Sequence, residues 1–215
     1  MTDIAGTIDI VSDAICPWCW IGKRHLEAAL EELAAEGLHF AVRWRPFQLN
    51  PDMPREGVPR EAYRAAKFGS LERSRQLDAQ VADAGRSVGL GFRHDLMART
   101  PNTVAAHALI RTAGEAGCQD AVVEALFQAY FAEGRDIGDP AVLAGIAAKA
   151  GLDPADAAAQ EAAVIAEDAD ARQGGISGVP SFLMERYLLF SGAMPGPRMA
   201  QAFRHARRVL ADERA

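Results

Sequence analysis

The sequence predicts an α/β protein in which a β-α-β segment and a β-β-α segment flank a long helical segment. Two observations predict this arrangement. Runs rich in β-branched and apolar residues lie near the two ends of the chain, whereas the Ala-rich middle, from about Arg60 to Asp170, has a helical pattern and no strand signal. The 215 residues, 49% of them hydrophobic, suffice for one compact domain or for one domain that carries an insertion.

The first segment begins with a strand, a helix and a second strand. Residues 7–11 are Thr-Ile-Asp-Ile-Val, a β-branched run typical of a buried strand. Between Trp20 and Leu33 the leucines recur on one helical face, and Gly37 follows as a helix stop. Residues 40–47 alternate apolar and polar side chains, as a half-buried strand does. We expect the two strands to be parallel, with the helix connecting them.

The middle of the chain is predicted to be a helical insertion domain over residues 59–171. Residues 1–58 and 172–215 then form a discontinuous domain that holds the sheet. Aspartate or threonine can cap a helix, and proline suits the first helical position. Three dipeptides therefore predict helix starts: Thr100-Pro101, Asp139-Pro140 and Asp153-Pro154.

The last segment is predicted to be a hairpin followed by a helix. Residues 181–184 and 187–191 are short apolar runs separated by Glu185-Arg186. Because Glu-Arg suits a two-residue turn poorly, we expect a longer connecting loop. Residues 197–210 then predict the final helix.

Charge and cysteine content exclude several classes of protein. The net charge of −6 argues against nucleic acid as a partner, because phosphate binding needs an excess of Lys and Arg. Residues 1–7 do not resemble a secretory signal, and no apolar run approaches the ~18 residues needed to span a bilayer. Three cysteines are too few for a structural disulfide framework. We therefore expect a cytoplasmic protein without a membrane partner.

The Cys-Pro-Trp-Cys motif at 16–19 is the strongest candidate site. Cys16 lies where a strand ends and a helix begins, so helical N–H groups face its sulfur and favour the reactive thiolate. Cys19 lies one turn further on nearly the same face and can attack a mixed disulfide on Cys16. Pro17 suits the first helical turn, and Trp18 offers an apolar contact for a substrate. We predict Cys16 as nucleophile and Cys19 as resolving thiol.

The cysteine pair has two alternatives to redox chemistry. The first is a pair of buried cysteines without chemistry, but packing alone does not explain why the pair flanks Pro-Trp at a strand-to-helix junction. The second is structural zinc, which needs four ligands. His25 and the isolated Cys118 do not complete such a set, so we predict no metal site and regard Cys118 as a bystander.

Four segments, in order along the chain, resemble the DsbA-like superfamily and particularly its FrnE-type branch. They are residues 16–22 (Cys-Pro-Trp-Cys-Trp-Ile-Gly), 45–51 (Arg-Pro-Phe-Gln-Leu-Asn-Pro), 99–107 with Thr100-Pro101-Asn102 and His107, and 178–181 (Gly-Val-Pro-Ser). This resemblance implies a thioredoxin-like fold with a large all-helical insertion. FrnE-type proteins sometimes carry an additional C-terminal cysteine pair, which this sequence lacks.

The resemblance also implies roles for residues outside the motif. It places Pro180 in a cis peptide bond opposite the cysteines, where the backbone of Val179 is free to pair with an extended substrate. Without the resemblance, an ordinary trans proline at the start of an edge strand is the simpler interpretation. Asn102 is expected to line the same pocket, and His107 to be a packed or surface histidine.

We therefore expect disulfide exchange on protein or small-molecule thiols and disulfides. No tightly bound cofactor is expected, and glutathione is a candidate co-substrate. The alternative is a glutathione-dependent transferase or isomerase similar to the kappa class and to 2-hydroxychromene-2-carboxylate isomerases, which typically hold Ser in place of Cys16. A third hypothesis is a holdase whose apolar groove surrounds Trp18 and Trp20. Because no secretory signal is recognised, we expect the protein to work in the reducing cytoplasm, which favours a reductase or an isomerase. The oligomeric state stays open, with a homodimer as one candidate.

Overall fold

The computed structural model describes residues 4–212. Its strands are β1 (Ile4–Ser12), β2 (His39–Pro46), β3 (Val58–Pro59), β4 (Arg99–Thr100), β5 (Ser181–Met184) and β6 (Tyr187–Ser191). Its helices are α1 (Pro17–Ala35), α2 (Arg60–Phe68), α3 (Leu71–Arg86), α4 (Val104–Glu115), α5 (Gln119–Phe127), α6 (Pro140–Lys149), α7 (Pro154–Ala159), α8 (Glu161–Gln173) and α9 (Gly196–Asp212). A π-helix, Gln128–Ala132, follows α5 directly.

The main sheet has four strands in the order β2-β1-β5-β6. β1 and β2 are parallel and are connected through α1, while β5 pairs antiparallel with both β1 and β6. The β-α-β and β-β-α segments are thus as predicted. The helices α2 to α8 occupy the sequence between β2 and β5. The proposed domain boundaries stay a prediction, and their outermost residues, 1–3 and 213–215, lie outside the described part of the chain.

The core of the sheet region forms between β1, β5, α1 and α9. Ile8 and Ile10 on β1 are fully buried, and so are Leu26 and Leu33 on the predicted inner face of α1. Rings from both sheet and helix complete this core: Phe40, Phe182, Phe190 and Phe203 lie within 6.4 Å of a neighbouring ring. Burial of these apolar side chains fixes α1, and with it the cysteine motif, against the sheet.

The β5–β6 hairpin has a two-residue turn, so the prediction of a longer connecting loop is wrong. Met184 pairs directly with Tyr187, and Glu185 and Arg186 both have positive φ, 51° and 80°. Both central residues of a type I′ turn have positive φ, and this turn matches the twist of the flanking strands. The tertiary pairing of β5 with β1 thus outweighs the poor local propensity of Glu-Arg for this turn.

Thr100-Pro101 does not begin a helix, and the middle segment is not free of strands. β4 pairs antiparallel with β3, with Thr100 opposite Val58. Gly57 permits this pairing: its φ is +66°, and a Cβ atom there would lie 2.6 Å from the Thr100 carbonyl oxygen. Helix α4 instead begins at Val104, whose N–H donates to the side-chain oxygen of Asn102 at 3.0 Å.

The two aspartate caps are confirmed. Asp139 accepts a hydrogen bond from the Ala141 N–H, and Asp153 accepts one from the Ala155 N–H, each at 2.8 Å. Pro140 and Pro154 occupy the first positions of α6 and α7, where no N–H is needed. Within residues 4–212, none of the helices has the length and apolar composition of a membrane span.

Candidate active site

Cys16 lies at the junction between β1 and α1, as the sequence predicts. It is the N-cap residue of α1, with extended backbone at φ −91° and ψ 111°, and Pro17 is the first helical residue. The Cys16 N–H donates to the carbonyl oxygen of Asp13 at 3.0 Å, which closes the turn after β1. The first turn of α1 contains no acidic side chain, so no carboxylate of that turn offsets the positive end of the helix beside Cys16.

The Val179-Pro180 turn lies against the Cys16 thiol. The peptide bond between Val179 and Pro180 is cis, which confirms the geometry that the resemblance implied. The Cys16 thiol donates to the carbonyl oxygen of Val179, with an S···O distance of 3.6 Å. This contact uses one of the two lone pairs of the carbonyl oxygen, and the pairing of Val179 with a substrate stays a prediction.

Cys19 is completely buried one helical turn below Cys16, and both thiols are free. Burial raises the pKa of the Cys19 thiol well above its usual value, because a thiolate there would lose its hydration. The neighbouring Cys16 raises this pKa further, while the backbone of Asp13 acts in the opposite direction. Cys19 is thus a neutral thiol at neutral pH in the reduced protein.

The two aromatic residues of the motif region differ in exposure. Trp18 is 43% exposed at the rim of the site, where a substrate can reach it. Trp20 is buried, stacks on Phe127 and Phe131, and directs its indole N–H toward Glu124. The hypothesis of an open apolar groove that includes Trp20 is therefore wrong, and only Trp18 of this pair is available to a partner.

A cavity of about 320 Å³, here called the Cys16 pocket, lies beside the motif. Cys16, Pro17, Trp18 and Val179 line one side, and residues of α2, α3 and the π-helix line the other. The pocket therefore joins the thiol, the cis-proline turn and the first helices of the middle segment in one concave site. This is the arrangement expected of a small-ligand or peptide site.

The helical side of the pocket is positively charged. Arg60 and Arg64 of α2 both pair with the carboxylate of Asp78, so two guanidinium groups share one acid. His94 lies 4.0 Å from the same carboxylate, and burial lowers the pKa of its imidazole, which favours the neutral form. The two arginines and one aspartate therefore leave a net positive charge at this side of the pocket, in a protein whose net charge is −6.

Lys67 adds a further cation to the Cys16 pocket. Its ammonium group donates to the Tyr63 hydroxyl at 2.5 Å, and Tyr63 donates to the side-chain oxygen of Asn50 at 2.6 Å. In residues 4–212 no carboxylate lies within ion-pair distance of Lys67. The Asn50 side-chain nitrogen is buried without a hydrogen-bond partner in the described residues, so a donor beside this group is unused.

Asn102 and Cys118 are not brought to the site. The Asn102 amide nitrogen donates to the Met53 carbonyl at 2.7 Å, and its oxygen caps Val104, so both ends bind backbone. Asn102 lines a separate cavity between α4, α6 and α7, which corrects its expected place in the Cys16 pocket. Cys118 is a half-buried free thiol before α5. Across residues 4–212, His, Cys, Asp and Glu side chains form no group suited to a metal ion.

Sequence analysis missed two groups of residues. The first is Asp13 with His107, a buried pair directly behind the motif, with 3.3 Å between Asp13 Oδ1 and His107 Nε2. Two signals could have indicated it: Asp13 is a charged residue between a buried strand and the cysteine motif, and His107 belongs to the third segment of the resemblance. The second is the cationic face of α2, which residues spaced i and i+4 could have indicated: Arg60 and Arg64, Tyr63 and Lys67.

Known proteins share this fold over nearly the whole chain. A probable DsbA oxidoreductase from Streptomyces coelicolor is 30% identical with a TM-score of 0.81, covering 94% of this chain and 89% of that one. The cytosolic disulfide reductase DsbM from Pseudomonas aeruginosa, solved with GSH, has the same fold at 22% identity and a TM-score of 0.63, with coverages of 96% and 98%. A 2-hydroxychromene-2-carboxylate isomerase also has this fold, with 14% sequence identity and a TM-score of 0.68. The match covers 96% of this chain and 98% of the isomerase.

The sequence comparisons agree with the structural ones. The uncharacterized protein YwbO of Bacillus subtilis is 28% identical over 148 residues, which are 69% of this chain and 68% of YwbO. The family model described as the DSBA-like thioredoxin domain matches residues 7–204. The predicted thioredoxin-like fold and the resemblance stated above are thereby confirmed. The chain belongs to the DSBA-like thioredoxin domain family, a family of oxidoreductases.

Proposed function

We propose that this protein is a thiol–disulfide oxidoreductase in which Cys16 is the nucleophile and Cys19 the resolving thiol. One observation carries the proposal: the Cys16 sulfur lies at the amino end of α1, 3.6 Å from the Val179 carbonyl, with Cys19 one turn behind it. The Cys16 thiolate attacks a substrate disulfide and forms a mixed disulfide. Cys19 then attacks the Cys16 sulfur, which closes the internal disulfide and releases the reduced substrate.

Four other residues are proposed to hold the substrate during this exchange. Pro17, Trp18 and Val179 line the Cys16 pocket beside Cys16, and Pro180 follows Val179 through the cis peptide bond. The Val179 carbonyl has a second lone pair beside the one that faces Cys16, with which it can accept a hydrogen bond from an extended substrate backbone. Trp18, which is exposed beside the pocket, then packs on an apolar substrate group.

Insulin reduction by dithiothreitol tests the proposal. We expect wild-type protein to accelerate precipitation of the insulin B chain, and Cys16→Ser to lose this activity. Cys19→Ser should accumulate a mixed disulfide on Cys16, detectable by mass spectrometry under non-reducing conditions. Cys118→Ser is the matched control and should retain wild-type activity. Full activity of Cys16→Ser would contradict the proposal.

Small anionic disulfides such as oxidised glutathione are proposed as substrates in addition to proteins. The supporting observation is the charge of the Cys16 pocket, whose lining contains three cations, Arg60, Arg64 and Lys67, and one carboxylate, Asp78, which pairs with the two arginines. Glutathione carries two carboxylates and one ammonium group, so this pocket complements its net charge. In this proposal glutathione is a transient co-substrate and not a resident cofactor.

The kappa-class type of glutathione-dependent transfer or isomerisation is the second candidate function. The same cationic pocket favours it, whereas the presence of a second cysteine favours disulfide exchange. Cys16→Ser separates the two, because glutathione-dependent transfer to an electrophile should survive a change to serine. Suppression of aggregation that is indifferent to both cysteines would instead support a holdase built around Trp18.

A reducing role in the cytoplasm completes the proposal. Three cysteines without a structural disulfide suit a reducing compartment, where a reductase or isomerase works. Equilibration with glutathione buffers measures the reduction potential of the Cys16–Cys19 pair. A value near the thioredoxin potential, about −270 mV, supports this direction, and a value near about −120 mV contradicts it. Analytical ultracentrifugation measures whether the protein forms a homodimer.

A further inference from the structure

The last helix of the middle segment, α8, ends in a hydrogen-bonded motif shortly before the cis-proline turn. The Ile176 N–H donates to the Ala171 carbonyl at 3.0 Å. The Gly175 N–H donates to the Arg172 carbonyl at the same distance, and Gly175 has a φ of +89°. These two bonds around a glycine of positive φ form a Schellman motif, which fixes the path of the chain as it leaves the helix. The end of α8 is therefore the last regular element before Val179.

Two side chains of α8 bind the segment that follows β2. Because β2 ends at Pro46, Gln48 lies outside the sheet. The Gln48 N–H donates to Asp168 Oδ1 at 2.8 Å, and the Gln48 carbonyl accepts a hydrogen bond from the Arg172 guanidinium. Arg172 also donates through Nε to Asp168 Oδ2 at 3.0 Å and lies over the Phe47 ring, 4.1 Å from its centroid. Asp168 and Arg172, here called the Arg172 clamp, thus bind both the backbone and the ring of this segment.

The ring under the clamp belongs to a small apolar cluster beside the cis-proline turn. Three buried residues, here called the Phe47 cluster, form it separately from the main core: Val11, Phe47 and Ile176. Val179 packs against this cluster as well as against the main core. The Val179 carbonyl oxygen in turn lies 3.6 Å from the Cys16 sulfur. A continuous series of contacts therefore leads from Arg172 through the cluster to the nucleophile.

The clamp is well paired and lies apart from the Cys16 pocket. The Asp168 side chain is 6% exposed and the Arg172 side chain 37%. Each carboxylate oxygen of Asp168 accepts a hydrogen bond, and Arg172 balances its charge, so burial of this acid is compensated. The Cys16 pocket, as residues 4–212 define it, is lined by neither side chain. An effect of the clamp on a substrate must therefore pass through the turn that it supports.

The turn needs support from such contacts because it lies outside regular structure. Residues 174–180, between α8 and β5, form no helix or strand. On the β5 side, the Ser181 hydroxyl donates to the Gly178 carbonyl at 2.8 Å and thereby closes the turn. On the α8 side, Val179 rests on the Phe47 cluster. The position of Val179 thus depends on β5 at one end and on the clamped cluster at the other.

We propose that Arg172 is a positioning residue of the disulfide-exchange site, and that with Asp168 it holds Val179 where an extended substrate backbone can pair with it. The inference rests on the proposed function, because the substrate pairs with Val179 while Cys16 attacks its disulfide. Backbone pairing stabilises the bound substrate before and during the attack to a similar extent. Loss of Arg172 therefore raises KM and leaves kcat nearly unchanged.

Steady-state kinetics with two disulfides of different size test this role. The first substrate is a fluorescence-quenched pair of extended peptides joined by one disulfide, reduced in the presence of dithiothreitol. The second is bis(2-hydroxyethyl) disulfide, which is small and neutral and has no backbone to pair with Val179. Arg111→Gln is the matched control for Arg172→Gln, because Arg111 is 36% exposed and also binds α8 and its preceding residue, at Glu167 and Gln160.

We expect Arg172→Gln to raise the KM for the peptide disulfide by about 3- to 10-fold, the factor that corresponds to one hydrogen bond. Its kcat, and kcat/KM for bis(2-hydroxyethyl) disulfide, should change by less than about 2-fold. Arg172→Lys should behave like Arg172→Gln, since an ammonium group cannot bind Asp168 and Gln48 and cover the Phe47 ring at the same time. Arg111→Gln should match wild type with both substrates.

A double variant tests the series of contacts. Val179→Ala removes the side chain that packs on the Phe47 cluster, so Arg172→Gln should raise KM by less than about 2-fold further in this background. Circular dichroism checks folding. If Arg172→Gln does not fold because the Asp168 carboxylate is left buried without a cation, the variant Asp168→Asn/Arg172→Gln carries the same test without the unpaired charge.

Four results would each overturn the positioning role of Arg172. They are an unchanged KM for the peptide disulfide, equal losses with both disulfides, a wild-type KM in Arg172→Lys, and full additivity of Arg172→Gln with Val179→Ala. A wild-type protein that reduces neither disulfide would instead overturn the proposed function, so the two failures are distinguishable.

Discussion

A Cβ atom on Gly22 would lie 3.1 Å from Cγ of Pro180, so the helix that carries both cysteines packs directly on the cis-proline turn. Gly22 is buried in the second turn of α1, where alanine would be the better helix former. The missing side chain thus permits the close approach that sets the distance between Cys16 and Val179.

Alanine at this position should therefore not give its usual stabilisation. Gly145→Ala, on the exposed face of α6 with no atom near the new Cβ, should raise the free energy of unfolding by roughly 0.5–1 kcal/mol. We expect Gly22→Ala to lack this gain and to lower insulin reduction, because Pro180 must move by a few tenths of an ångström. Denaturant unfolding and the insulin assay measure both effects. An equal increase in the free energy of unfolding for Gly22→Ala and Gly145→Ala would contradict this packing.

The two tryptophans near the motif should respond differently to truncation. Trp20→Ala removes a buried ring from the contacts with Phe127 and Phe131 and should cost about 3–5 kcal/mol of unfolding free energy. Trp18→Ala removes an exposed ring, so the unfolding free energy should change by less than about 0.5 kcal/mol. Its effect should appear as a higher KM for a protein disulfide. A large loss of stability in Trp18→Ala would show that this ring is structural.

The stability of the reduced protein should fall at alkaline pH because of Cys19. Its pKa is raised in the folded state, so the folded protein keeps a proton that the unfolded chain releases above about pH 8.5. The stabilising contribution is complete below that pH and declines above it, by up to about 1.4 kcal/mol per pH unit. Denaturant unfolding between pH 7.5 and 9.5 should therefore show a weaker decline in Cys19→Ala than in wild type. Cys118→Ala should follow the wild-type slope.

The positive charge of the Cys16 pocket should raise kcat/KM for small anionic disulfides and leave insulin reduction unaffected. Lys67 has no carboxylate partner among the ion pairs of residues 4–212, so Lys67→Gln removes a cation without leaving an unpaired acid. For an exposed charge we expect kcat/KM with oxidised glutathione to fall about 2- to 5-fold, and the difference to shrink at high salt. Insulin reduction should not change. Lys149→Gln, at the exposed end of α6, is the matched control.

Local patterns predicted most of the elements that position the cysteines. Strand β1, the turn to α1 and the caps Asp139 and Asp153 follow from β-branched runs and from side chains that bond to their own backbone. The short β3–β4 pairing and the Glu185-Arg186 turn depend on distant partners, so local propensity could not reveal them. The same holds for the Cys16 pocket and the Asp13–His107 pair, whose members are distant in sequence and meet only in the folded chain.

Alkylation followed by mass spectrometry tests the central claim most directly, that Cys16 and Cys19 form a reversible disulfide. The folded protein is oxidised with a small disulfide, alkylated under denaturing conditions and digested. We predict that Cys16 and Cys19 are linked and unmodified while Cys118 is alkylated, and that dithiothreitol makes both motif thiols available again. Full alkylation of Cys16 and Cys19 after oxidation would contradict the account.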